Sequence, residues 1–176
     1  MTKNKLGIFQ VESGWMVIAD PGIGEEFWIT KALGGMCSGV VKGGWEASIE
    51  LETVGRWGTR VCSLTAVHSD ADDPNWERMG EVGVDTGQAG IFDGAFFRND
   101  EAVKDLPKAI DDSFYGACCY HTLESYGGVF PFGAVSLSGL GDGVYLYYAT
   151  LADREINGFR IVFIEEDEVV DLSGEG

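Results

Sequence analysis

Alternation of apolar or small with polar residues, cut at short intervals by glycine, is the feature that most restricts how this chain can fold. Trp45-Glu46-Ala47-Ser48-Ile49-Glu50-Leu51-Glu52 alternates, and Arg60 to His68 does so again. A period of two sends one set of side chains inward and the other to water, so both runs read as half-buried strands, joined as an antiparallel pair through Val54 to Gly58. Leu6 to Val11 and Trp15 to Ala19, separated by Glu12-Ser13-Gly14, read as a hairpin, and Phe27 to Thr30 as a further strand. Glycines 34, 35, 39, 43 and 44 divide the next stretch into short extended pieces. Later strands are predicted at Tyr115–Tyr120, Gly128–Leu137, Val144–Thr150 and Gly158–Ile164. A single helix is predicted over Glu101 to Phe114, capped by Asn99 or Asp100, with Val103, Leu106, Ile110 and Phe114 at helical spacing and Pro107 weakening it. Residues 165–176 read as an acidic, frayed tail. The balance predicts one mainly β domain over 1–176, an antiparallel two-sheet sandwich or open barrel with a short helical insertion near 101–114. No internal repeat is evident at this level.

Charge narrows the function classes. Twenty-nine acidic residues against 12 basic give a formal net charge of -17. Direct binding to nucleic acid is disfavoured, because that affinity comes chiefly from Lys and Arg neutralising phosphates. A protein partner, basic in character, is the expectation, and a nucleic-acid mimic is a third possibility if the carboxylates stand in rows. Met1 to Gln10 lacks the apolar core of a cleavable leader and no run approaches a membrane span. Cys37, Cys62, Cys118 and Cys119 form no C-x-x-C pair and read as buried thiols of a cytoplasmic protein.

Candidate site residues gather in two glycine-bracketed stretches. In Gly83 to Asp93, read as strand, tight turn, strand, Asp85, Thr86, Gln88 and Asp93 present polar groups suited to a hard cation or a polar ligand. In Ser138 to Tyr145, Asp142 and Tyr145 join them. Asp85, Asp93 and Asp142 form the candidate metal set, with calcium or magnesium as the cation. Aspartate and threonine beside glycine also commonly satisfy their own turn backbone, and that reading stands next to the ligand reading. Asp20, held extended by Pro21, is another carboxylate at a strand end. No phosphate loop, nucleophile elbow or zinc-protease motif is present, so no catalytic residue is assigned. His68 and His121 are isolated, although a strand at 115–120 would put Cys119 and His121 on one face.

Three blocks, Ser13-Gly14 through Asp20-Pro21, Val84-Asp85-Thr86-Gly87, and Ser138-Gly139-Leu140-Gly141-Asp142-Gly143-Val144-Tyr145, resemble the signature of an uncharacterised bacterial domain-of-unknown-function family. The resemblance implies a single mostly β domain with these aspartates and glycines at signature positions, and it implies no activity. The chain departs from that pattern at Val162-Phe163, where Val162 stands in place of the family's aspartate before the phenylalanine, and in the glycine-rich stretch from Gly34 to Gly44. Two function classes follow: a non-catalytic binding protein of the immunity or defence-antagonist type, or a metal-dependent hydrolase or calcium-stabilised domain built on the three aspartates.

Overall fold

The computed structural model describes residues 1–24, 26–27 and 31–174. Among the described residues, eleven strands form two antiparallel sheets that face each other without closing into a barrel, so the fold is a two-sheet sandwich. The first sheet holds β1 (Thr2–Val11), β4 (Gly43–Thr53), β5 (Thr59–His68), β11 (Glu155–Val162), β10 (Gly143–Ala152) and β6 (Glu77–Val84), ordered β1-β4-β5-β11-β10-β6. The second runs β3 (Gly35–Ser38), β2 (Trp15–Ala19), β7 (Gln88–Asp93), β9 (Gly133–Leu137) and β8 (Gly127–Phe130), ordered β3-β2-β7-β9-β8. The alternation read from sequence is realised in β4 and β5, which pair from Trp45 with His68 to Thr53 with Thr59. Their inward residues Trp45, Ala47, Ile49, Leu64 and Ala66 are buried in the main core with Phe9, Phe159 and Ile161. Trp45 lies between Phe9 and Phe159, with ring centroids 6.4 and 6.1 Å away.

Four local expectations are corrected. β1 and β2 are not a hairpin: the chain turns a corner at Glu12-Ser13-Gly14 and crosses from one sheet to the other, as it does again between β6 and β7. The helix expected over Glu101–Phe114 is reduced to a 3-10 turn at Asp100–Val103, capped by the Asn99 side chain, which accepts from the Glu101 amide. The strand expected at Tyr115–Tyr120 is instead helix α1 (Phe114–Thr122), whose N-cap Ser113 accepts from the Gly116 amide. The supposed tail is helix α2 (Glu166–Gly174), which lays Val169 and Leu172 against the main core. The strand expected at 27–30 falls largely outside the described residues.

The two halves of the chain are related by an internal two-fold that maps each sheet onto itself. Exchanging β1, β2, β3, β4 and β5 for β6, β7, β9, β10 and β11 reproduces the strand order of the first sheet in reverse, and that of the second apart from the added β8. Registers agree as well. Val11 pairs with Gly43 as Val84 pairs with Gly143. The bulge between Glu50 and Leu51 has its counterpart between Thr150 and Leu151. The axis passes through the Ile18–Ile91 pair of β2 and β7 and the Thr65–Arg160 pair of β5 and β11. What breaks the symmetry is the segment from Gly94 to Phe132, which contributes α1 and β8. It covers the second sheet through a separate cluster of Phe92, Val103, Phe114, Phe130, Phe132 and Val135.

Candidate functional site

Asp20 and Asp93 stand at the two ends of the β2–β7 pair and are 1% and 0% exposed. Each is held in the same way. One oxygen of Asp20 accepts from the amides of Asp85 and Thr86, both at 2.8 Å, and the other accepts from the Thr86 hydroxyl at 2.5 Å and the Gly22 amide at 2.8 Å. One oxygen of Asp93 accepts from the amides of Glu12 and Ser13 at 2.7 and 3.3 Å, and the other from the Ser13 hydroxyl and the Ala95 amide. Each carboxylate therefore pins the corner through which the chain enters the other strand, and a positive-φ glycine, Gly14 or Gly87, completes each corner. Four donors leave such a buried carboxylate no free lone pair for a ligand.

This geometry dismantles the expected metal set. β7 rises about 3.4 Å per residue, which carries Asp93 roughly 17 Å from the Gln88 end of the strand, where Asp85 lies. Asp85 and Asp142 do share one end: the β6–β10 register stops at Val84 with Gly143, and the two aspartates occupy the exposed positions just beyond it. Among the described residues no three His, Cys, Asp or Glu side chains gather as a metal site.

Thr86 and Gln88 belong to an interior polar knot. Gln88 is buried; its amide nitrogen donates to the Cys119 sulfur at 3.5 Å and its amide oxygen accepts from the Thr122 hydroxyl at 3.3 Å. Tyr115 joins them, its phenol pKa raised by burial and by the Cys119 thiol, with Gln88 and Thr86 pulling the other way. The knot fastens α1 to the start of β7. It is a structural use of two of the residues whose polar groups suited a ligand in the sequence. Cys119 and His121, placed on one face by the strand reading, diverge on the helix. His121 instead lies over Gly128 and edge-on to Phe130, 4.9 Å between centroids.

Asp142 and Tyr145 sit in a different setting. The loop before β10 and helix α2 enclose an open cleft of about 440 Å³. Leu140, Val144, Phe163 and Leu172 supply its apolar lining, and Asp142, Glu168 and Asp171 supply acidic groups beside them. Tyr145 stands on edge against Phe163, 5.2 Å between centroids, and donates its hydroxyl to the Gly141 carbonyl at 2.6 Å. Burial, then the charges of Asp142 and Glu168, push its pKa up, so the phenol remains a protonated donor. Glu168, Asp171 and Leu172 were missed because residues 165–176 read as tail; Val169 and Leu172, one helical turn apart among acids, were the available signal.

The chain matches no protein-family model, no curated protein and no solved structure.

Proposed function

We propose that this chain is a non-catalytic interaction protein of the cytoplasm, of the immunity or antagonist type, and that the cleft beside α2 receives basic side chains of a protein partner. The cleft's composition carries the reading. Apolar lining suits the methylene stem of lysine or arginine, while three carboxylates in the same cleft suit its charged head. The formal charge of -17 adds long-range attraction for a basic surface. The four buried free thiols fit a reducing compartment. Among the described residues no helix is long and apolar enough to cross a membrane.

Titration with a peptide of alternating arginine and leucine tests this reading. Amide resonance shifts should cluster at Leu140–Tyr145 and Glu168–Leu172, and affinity should fall as salt rises. Asp142→Asn and Asp171→Asn should each weaken binding several-fold. Undiminished binding by the double variant would remove the cleft from consideration.

A further inference from the structure

Ile110 is a β-branched residue with φ of 75°, and it is 73% exposed. Its neighbours close a three-residue turn around it, the Asp111 amide donating to the Ala109 carbonyl at 2.9 Å. A positive-φ γ-turn is a strained conformation, and a branched side chain is among the least suited to it. The surrounding loop is nevertheless firmly held. The Ala109 amide donates to the Gly116 carbonyl, the Asp111 carboxylate accepts from the amide and hydroxyl of Ser113, and the Asp100 carboxylate accepts from the Phe114 amide at 2.8 Å. The Lys108 ammonium donates to the carbonyls of Lys104 and Leu106. Gly116 has no Cβ for a reason: one would stand 2.1 Å from the Asp111 carbonyl oxygen, so the turn is seated directly on α1. The segment is part of the insertion that the internal two-fold lacks.

We propose that the Ile110 turn is a preformed binding loop that inserts its side chain into an apolar pocket, rimmed by Lys or Arg, on another protein. A rigid loop loses little entropy on docking, which favours a single displayed anchor over a mobile one. Around the tip, exposed Asp105, Asp111 and Asp112 outnumber Lys108, whose ammonium is turned onto the Lys104 and Leu106 carbonyls, while Lys104 is paired with Glu101, so the tip is acidic on balance and sets the sign of the partner's rim. A second copy of this chain is a poor occupant, since it carries the same formal net charge of -17 and offers an acidic surface to an acidic tip. The proposal rests on the reading of the chain as an interaction protein and adds the surface that anchors the partner.

Photocrosslinking in cells that make the protein tests it, with p-benzoylphenylalanine in place of Ile110 and, as control, of Val170, which is 71% exposed. A product specific to position 110, joined to a protein at an apolar pocket flanked by Lys or Arg, is the expected result. The purified partner should then bind Ile110→Gly at least tenfold more weakly than the parent protein, while the melting midpoint of Ile110→Gly rises by about 2–4 °C because glycine accepts the positive φ. A partner that binds Ile110→Gly normally but loses affinity for Asp142→Asn with Asp171→Asn would overturn the loop and keep the interaction reading. No crosslink at position 110 beyond the control, together with no peptide binding at the cleft, would overturn both. A lowered midpoint for Ile110→Gly would refute the strain on which the loop is argued.

Discussion

At the scale of single residues, the most informative groups are Asp20 and Asp93, because each uses one carboxylate to organise a corner that its own strand does not contain. An aspartate accepting four hydrogen bonds in the interior is far more costly to alter than one at a surface turn. Asp93→Asn keeps the shape but replaces one acceptor oxygen with an NH2 group that faces backbone donors. We expect Asp20→Asn and Asp93→Asn each to cost about 2–4 kcal/mol, by the range for breaking buried charge-assisted bonds. Urea unfolding should show a lower midpoint with an unchanged slope, and the two variants should suffer equally because their surroundings match. A loss confined to one of them would mean that the two corners are not energetically equivalent. Sequence placed these aspartates at strand ends and left ligand binding and turn satisfaction as rival uses; the hydrogen bonds decide for the turn at Asp93.

At the scale of elements, α1 carries a pH dependence that can be given a sign. Burial over Gly128 and against Phe130 lowers the His121 pKa below its ordinary value of 6.5. The unfolded chain then takes up a proton at a pH where the folded one does not. Stability from this residue is therefore present above 6.5 and declines as pH falls from there toward the depressed folded value. His121→Phe should flatten this part of the melting profile between neutral and mildly acid pH, read by thermal unfolding across that range. Retention of the full acid sensitivity by the variant would assign it to other groups. The same helix shows where sequence reasoning reaches its limit. β4 and β5 were legible because alternation is a local property and their connection is short. Tyr115 to Tyr120 is rich in tyrosine and cysteine, which favour strands, and only the Ser113 cap and the apolar spacing of Phe114, Ala117 and Cys118 announced a helix. Ile110 has the spacing of a helical face and instead forms the centre of a γ-turn. The corner after β1 was unreadable locally, since the group that fixes it, Asp93, lies 81 residues from Glu12.

At the scale of the whole molecule, the chain behaves as two interlocked halves. Glu12-Ser13-Gly14 with Asp20 and Asp85-Thr86-Gly87 with Asp93 follow one pattern: an acid, a hydroxyl residue and glycine, then aspartate after five more positions. Ser38-Gly39 with Gly43 and Trp45 is answered by Ser138-Gly139 with Gly143 and Tyr145. The repeat was thus present in the sequence, but too sparse to see without the strand exchange that aligns it. Its energetic consequence is mutual dependence. The β2–β7 and β5–β11 pairs both cross between halves, so separation would strip one edge of each sheet and open the shared core to water. A chain cut in the exposed link between β5 and β6, giving 1–71 and 72–176, should therefore reassemble when the pieces are co-expressed. The pieces should co-purify in equal amounts with a native-like near-ultraviolet spectrum, whereas each alone should be unfolded or aggregated. A well-dispersed amide spectrum from either piece alone would show that one half closes its own core, and the crossing pairs would then be a docking interface between finished units instead of the seam along which a single core is built.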